Sequence, residues 1–152
     1  MTQCDRDESI NLFTYGSLML PTIFQRVAGR CPVALEATLE HWKRVRVQNE
    51  SYPAAIPSPG ERIRGLLWLS LSSSELLRLD AFEGSDYKRE EIQVIDLSGH
   101  SHSAQIYGWR QKGKLTNEPW DVHWFETVGI KDFSNKFLLY PEQPNPLPHL
   151  EI

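Results

Sequence analysis

Residues 72–84 read Ser-Ser-Ser-Glu-Leu-Leu-Arg-Leu-Asp-Ala-Phe-Glu-Gly and give the clearest structural signal in the chain. Ser72 followed three residues later by Glu75 is the pattern of a capping box, in which each side chain hydrogen-bonds the other residue's backbone N–H. Gly84 suits the end of a helix, because glycine readily adopts the left-handed conformation common there. The sequence therefore predicts a helix that begins after Ser72 and ends at about Glu83.

The predicted helix carries a carboxylate on its apolar face. Leu76, Leu79 and Glu83 are spaced i, i+3 and i+7, which places them on one side of the helix. Desolvation and the negative end of the helix dipole would both raise the pKa of Glu83, as a general acid–base catalyst near neutral pH requires. The alternative is an exposed Glu83 where the helix frays, or one paired with Arg89. Asp80 is then structural, bonding nearby backbone.

Short strand-like runs dominate the rest of the chain. Apolar alternation bounded by Gly, Pro and Ser predicts strands over 10–15, 33–39, 43–47, 52–57, 63–69, 87–97 and 104–109. Proline content favours an edge position or a bulge for 52–57, and the mostly apolar character of 63–69 predicts that it is buried on both faces. Two further helices are predicted over 21–27, ending at Gly29, and over 119–127, with Trp120 and Trp124 on one face. Many strands and few helices predict an α+β fold, a small curved mixed sheet or barrel with a few flanking helices.

Composition restricts the class of protein. The 152 residues predict one domain, 1–152, with loose tails over 1–9 and 141–152. A net charge of −4 argues against nucleic-acid binding. No apolar run approaches the roughly 20 residues of a membrane span, and the charged N-terminus does not resemble a signal peptide, so a cytoplasmic protein is expected. Two cysteines supply neither a disulfide framework nor a zinc site by themselves, and neither a metal nor a cofactor is predicted. The oligomeric state is left open.

The segment Thr14-Tyr15-Gly16-Ser17-Leu18-Met19 is the second informative stretch. A strand that stops at Gly-Ser and leads into a helix can aim several backbone N–H groups at one point, where they bind a carboxylate or phosphate. A plain turn is the alternative. On a strand, Tyr87 and Arg89 share a face. They either serve sheet packing and a salt bridge, or Tyr87 lines a cavity while Arg89 supports it. Arg44 and Arg46 also share a strand face, which is interpreted as solvated rather than as an anion-binding patch.

Together these segments resemble the γ-glutamylcyclotransferase-like family, including its AIG2-like and γ-glutamylamine cyclotransferase branches. The likeness covers about residues 10–110. Its motifs, in order along the chain, are Phe13-Thr14-Tyr15-Gly16-Ser17-Leu18, Tyr52-Pro53-Ala54, Gly65-Leu66-Leu67-Trp68, Leu79-Asp80-Ala81-Phe82-Glu83-Gly84, Tyr87-Lys88-Arg89 and Ala104-Gln105-Ile106-Tyr107.

The resemblance implies a barrel-like sheet with a cavity and the release of 5-oxoproline from a small-molecule γ-glutamyl substrate. It implies that Tyr15, Gly16, Ser17 and Leu18 hold the γ-glutamyl head, mostly through backbone N–H groups to its α-carboxylate, and that Glu83 is the catalytic acid–base. Thr14, Met19 and Tyr87 complete the expected binding site.

The expected chemistry needs no protein nucleophile and no cofactor, because the substrate's own α-amine attacks its γ-carbonyl. One carboxyl group with a raised pKa can take a proton from the ammonium and later protonate the leaving amine. The alternative is a binding module that captures a small carboxylate in the same cavity without turnover. Glu83 favours the enzyme, since a second negative group does not help to bind an anion.

Overall fold

The computed structural model describes residues 9–111 and 113–134 of the chain. Of the predicted tails over 1–9 and 141–152, all but Ser9 lie outside the described residues. In chain order the elements are β1 (Ile10–Thr14), a 3-10 turn (Ser17–Met19), α1 (Pro21–Ala28), β2 (Ala34–Val47), β3 (Pro53–Leu71), α2 (Ser73–Glu83), β4 (Tyr87–Asp96), β5 (Ser101–Trp109), β6 (Leu115–Pro119), α3 (Val122–Trp124), a π-helical turn (Phe125–Gly129) and α4 (Ile130–Phe133).

Five of the strands close into a barrel. The pairing order is β3-β1-β5-β4-β2, and β2 pairs again with β3, while β6 extends the sheet beyond β2. β1 and β5 are parallel and the other pairs are antiparallel, so the barrel is mixed. Closure leaves few unpaired strand edges. The predicted α+β fold with a small mixed barrel and flanking helices is confirmed.

β2 and β3 are longer than predicted. Each joins two runs expected as separate strands, because β-bulge irregularities bend the ladder without ending it. The register of β2 on β3 shifts between Glu40 and Trp42, where His41 has a φ of 70°. The His41 Nδ1 accepts a hydrogen bond from the Gly60 N–H at 3.1 Å and joins the two bends.

The two segments of β3 differ in their neighbouring strands and in their burial. Residues 53–57 pair with β2 alone among the described strands, as the predicted edge position requires. The prediction that 63–69 is buried on both faces is wrong for the first part of the segment, where Ile63 is buried but Arg64 is exposed to solvent. It holds further along, where Leu67 and Trp68 are both buried in separate clusters on the two faces of the strand. The outer face is therefore buried only where the helical layer covers it.

The capping box at the start of α2 is confirmed. The Ser72 Oγ accepts a hydrogen bond from the Glu75 N–H at 3.2 Å, and Glu75 Oε1 accepts from the Ser72 N–H at 2.9 Å. The buried Glu75 carboxylate also pairs with Arg30 at 2.6 and 2.9 Å. The helix ends at Gly84, which has a φ of +82°. These contacts hold the start of α2, and Glu83 lies in its last turn.

The expected helix over 119–127 starts later than predicted. Residues 115–119 form β6, and Asp121 caps α3 by accepting a hydrogen bond from the Trp124 N–H at 2.8 Å. Trp120 therefore precedes the helix, and the prediction that Trp120 and Trp124 share one helix face is wrong. Trp120 is instead buried, and its Nε1 donates to the Ser51 carbonyl oxygen at 2.8 Å.

The described helices pack on the outside of the barrel. Phe24 of α1 stacks on Trp68 of β3 with ring centroids 4.2 Å apart, and Leu76 and Leu79 of α2 belong to the same buried layer. In the described part of the chain, no helix is long and apolar enough to cross a membrane. The helical layer brings the end of α2 close to the end of β1.

Candidate active site

A cavity of about 240 Å³ lies between the loop after β1 and the end of α2. Thr14 to Leu18 form one wall and Phe82 to Tyr87 form another. Tyr52, Pro53, Tyr107 and Phe133 complete the lining together with Phe13. The cavity thus joins the two segments that the sequence singled out, which lie about seventy residues apart in the chain.

β3 holds the end of β1, where the loop begins. Thr14 Oγ1 donates to the Leu66 carbonyl oxygen at 3.1 Å and accepts from the Trp68 Nε1–H at 3.0 Å. A Cβ at Gly65 would lie 2.2 Å from the Thr14 carbonyl oxygen. Gly65 therefore lets β3 approach the loop closely, a role that the sequence did not assign to it.

Gly16 has little space beside it. A Cβ at this position would lie 2.9 Å from both Cδ and Cγ of Pro53, closer than real contacts allow. Among the described residues, no carbonyl or side-chain oxygen accepts a hydrogen bond from the N–H groups of Gly16, Ser17 and Leu18. The loop therefore brings three uncommitted N–H donors to the cavity wall.

Arg44 holds the loop from β2. Its Nη1 donates to the carbonyl oxygens of Tyr15 at 2.9 Å and Arg64 at 3.3 Å, and its guanidinium lies 5.4 Å from the centroid of the Trp120 ring. Arg46 on the same face lies 4.3 Å from the Trp124 ring centroid. The predicted solvated face is wrong for Arg44, which the segment after β6 covers, whereas the Arg46 side chain is 34% exposed and pairs with the exposed Glu118 at 3.5 Å. No local signal marks Arg44, since its partners are distant in sequence.

Glu83 lies at the last turn of α2, half-buried in the cavity wall. Burial raises its pKa to about 8, and the negative charge of Asp80 adds to the effect. No other described residue forms a hydrogen bond with its carboxyl group. The alternative pairing of Glu83 with Arg89 is wrong, because Arg89 binds Asp80 instead, with Nε 2.8 Å from Oδ1. Asp80 therefore has the structural role that the sequence left open, although it bonds side chains rather than backbone.

Three tyrosine hydroxyl groups around the cavity donate to fixed acceptors. Tyr15 donates to the Tyr107 carbonyl oxygen, Tyr87 to the Pro53 carbonyl oxygen at 2.7 Å, and Tyr107 to Asp80 Oδ1 at 2.7 Å. Burial raises the pKa of all three phenols above the ordinary value. The three phenols are therefore neutral near pH 7, and each hydroxyl proton already takes part in a hydrogen bond within the protein.

Seven of the eight predicted site residues line this cavity: Thr14, Tyr15, Gly16, Ser17, Leu18, Glu83 and Tyr87. Met19 does not; its sulfur lies 3.9 Å from Arg44 Nη1, on the side of the loop that Arg44 supports. Tyr52, Phe82, Tyr107 and Phe133 also line the cavity but were not predicted. The roles of the lining residues remain predictions.

The described residues hold no group of three or more His, Cys, Asp or Glu side chains suited to a metal ion. His102 Nε2 lies 2.8 Å from Asp96 Oδ2 in the hairpin between β4 and β5, away from the cavity.

The closed mixed barrel with its helical layer is a γ-glutamyl cyclotransferase fold. One solved γ-glutamyl cyclotransferase matches with a TM-score of 0.67 at 18% sequence identity, over 95% of this chain and 96% of that one, a likeness of fold alone. The chain belongs to the γ-glutamyl cyclotransferase, AIG2-like family, whose model matches residues 12–124.

Relatives from Arabidopsis thaliana support this assignment. AIG2-like protein D is 30% identical over 149 residues, which span 93% of this chain and 95% of the relative. A solution structure of another A. thaliana protein matches with a TM-score of 0.67 and 26% identity, over 90% of this chain and 93% of that one. The family match extends past the roughly 100 residues that carried the resemblance and includes β6 and α3.

Proposed function

We propose that this chain is a γ-glutamyl cyclotransferase that releases 5-oxoproline from a γ-glutamyl amide or peptide, with Glu83 as the general acid–base. The observation that carries the proposal is a single cavity in which a carboxyl group with a pKa of about 8 lies opposite a loop with uncommitted N–H groups. Membership of the family supports it.

The proposed substrate pose follows from the charges in the cavity. The α-carboxylate of the γ-glutamyl head accepts hydrogen bonds from the N–H groups of Gly16, Ser17 and Leu18. Of the described residues, two acidic ones line the cavity, Glu83 and Asp86, and Asp86 Oδ1 accepts a hydrogen bond from Gln111 Nε2 at 2.8 Å. The α-ammonium lies against Glu83, whose carboxyl group has no such partner among the described residues. Holding both charged groups folds the substrate so that its nitrogen approaches the γ-carbonyl carbon, which lowers the entropic part of the barrier.

The proton steps balance with one carboxyl group. The Glu83 carboxylate takes a proton from the α-ammonium, and the free amine attacks the γ-carbonyl to form the five-membered ring. Protonated Glu83 gives this proton to the leaving nitrogen as the C–N bond to the leaving group breaks. The regenerated carboxylate then takes the second proton from the ring nitrogen and passes it to the released amine. 5-Oxoproline and an ammonium product are released, and Glu83 returns to its initial carboxylate state.

The raised pKa of Glu83 suits both halves of this reaction. A pKa of about 8 is close to that of α-amino groups, also about 8 in model peptides, so proton exchange between them is nearly balanced. The free protein must lose the Glu83 proton before it can act as the base. We expect kcat/KM to rise with pH as Glu83 loses its proton, to be highest near pH 8, and to fall at higher pH as the substrate's α-ammonium loses its own proton.

The decisive experiment incubates the protein with a panel of γ-glutamyl amines and peptides and detects 5-oxoproline by mass spectrometry. Glu83→Gln should lower turnover by about 100-fold or more while the γ-glutamyl head still binds, as calorimetry can measure. Binding of γ-glutamyl compounds without any 5-oxoproline would support the alternative, a binding module for small carboxylates. A fully active Glu83→Gln protein would refute the mechanism.

A further inference from the structure

Asp80 lies one turn before Glu83 on α2 and is held from two sides. Its Oδ1 accepts hydrogen bonds from Arg89 Nε at 2.8 Å and from the Tyr107 hydroxyl at 2.7 Å, and its Oδ2 accepts from Arg89 Nη2 at 3.1 Å. Arg89 is itself held by the Gln105 Oε1 of β5. The carboxylate is therefore fixed in place between α2, β4 and β5.

The spacing along α2 makes Asp80 a neighbour of Glu83, because residues at i and i+3 lie side by side on a helix surface. Arg89 is on the strand β4 and binds the Asp80 carboxylate through Nε and Nη2. The negative charge of Asp80 acts on Glu83 and adds to the effect of burial on its pKa.

In the described part of the chain, the remaining ionisable groups around Glu83 come from the other elements of the cavity. Four are tyrosines whose pKa values are raised by burial, so their phenols are neutral and contribute little: Tyr15 after β1, Tyr52 before β3, Tyr87 on β4 and Tyr107 on β5. The fifth is the carboxylate of Asp86 in the turn after α2, which accepts a hydrogen bond from Gln111 Nε2 at 2.8 Å.

We propose that Asp80 is a positioning residue for the reaction: its fixed negative charge, one turn from Glu83, strengthens Glu83 as the base that accepts the substrate's ammonium proton. The proposal depends on the proposed function for its catalytic meaning. The effect of Asp80 on Glu83 itself is open to measurement without any turnover. Arg89 and Tyr107 act one step further away, by holding Asp80 in place.

Two substitutions break the same ion pair with opposite electrostatic effects. Asp80→Asn removes the negative charge and leaves Arg89, so the midpoint of Glu83 titration should fall by about one pH unit. Arg89→Gln removes the compensating positive charge, so the midpoint should rise. A purely structural role would disturb the site in both variants without this opposition. Glu36→Gln, which removes an exposed carboxylate on β2, is the matched control and should leave the midpoint unchanged.

The measurement is a carbon-13 NMR titration of carboxyl-labelled glutamate, with the Glu83 signal assigned by its loss in Glu83→Gln. Opposite shifts in the two variants support the proposal, and if one variant does not fold, the sign of the shift in the other decides. Shifts in the same direction, or none, overturn it.

In a protein that turns over γ-glutamyl substrates, the acidic limb of the kcat/KM profile should move with the titration midpoint. Absence of 5-oxoproline in every variant and in the parent would refute the proposed function and leave the titration result standing.

Discussion

Glu83→Gln should stabilise the protein, and the gain should grow with pH. In the folded protein the pKa of Glu83 is raised from 4.5 to about 8, so the folded state holds its proton more tightly than the unfolded chain does. Below about pH 4.5 the group is protonated in both states and costs nothing. Between pH 4.5 and 8 the unfolded chain releases the proton first, and the free energy of unfolding falls as pH rises.

The size of the effect follows from the shift. At about 1.4 kcal/mol per pKa unit, the full shift corresponds to an upper bound of about 5 kcal/mol. Because Glu83 is only half-buried, solvent reduces the electrostatic cost of its charge. We expect Glu83→Gln to raise the free energy of unfolding by about 2–3 kcal/mol above pH 8. For a chain of 152 residues this is a rise in Tm of about 6–9 °C.

Thermal unfolding followed by circular dichroism at pH 4.5, 6, 7.5 and 9 measures the effect directly. The Tm difference between Glu83→Gln and the parent should be near zero at pH 4.5 and largest at pH 9. Glu36→Gln serves again as the control for loss of an exposed charge. A Tm difference that stays constant with pH, or a variant less stable than the parent at pH 9, would refute the assignment of a raised pKa to Glu83.

Three further outcomes are expected from the same structure. Gly16→Val should weaken binding of a γ-glutamyl ligand by about tenfold or more in calorimetry, because the valine side chain collides with Pro53. Ser17→Ala should have little effect on binding, since the backbone donors remain. Equal, small effects of the two substitutions would contradict the role of the loop. Glu75→Gln should cost about 1–3 kcal/mol at pH 7 in urea unfolding, because the pKa of Glu75 is lowered to about 2 by Arg30. That cost should shrink as pH falls from 4.5 towards 2, and a cost independent of pH would contradict it. Fluorescence anisotropy should detect no duplex DNA binding at physiological salt, given the net charge of −4; a salt-sensitive micromolar complex would contradict this expectation.

The parts of the fold that the sequence predicted well are those encoded by local contacts. Ser72 and Glu75 cap α2 through hydrogen bonds across three residues, and glycine ends both α1 and α2 as expected. The sequence predicted two strands each for β2 and β3. The residues at the bends, His41 and Gly60, have positive φ values in the structure, and the sequence around them resembles that of a turn.

The same difference between local and long-range contacts explains which residues of the candidate site the sequence could indicate. The loop after β1 and Glu83 were singled out because each carries a local anomaly, a Gly-Ser stop in a strand or an acid on an apolar face. Their roles in binding and catalysis came from the family resemblance and remain predictions. The alternative that paired Arg89 with Glu83 was wrong, since Glu83 is nearer to Arg89 in sequence than Asp80 is, and only the folded barrel brings Arg89 to Asp80. Arg44 and Tyr107 were missed because their contacts cross 27 to 92 residues.

The parallel pairing of β1 with β5 also determines when the barrel can form during synthesis. The hairpins β2–β3 and β4–β5 join neighbouring strands, but Leu12 pairs with Gln105 and Phe13 with Ile106, more than ninety residues later. Closing so long a loop is entropically costly and slow. A nascent chain therefore leaves the ribosome with β1 still lacking one neighbour until β5 has emerged, so the barrel closes late, and a chaperone that shields β1 until then should raise the yield of folded protein.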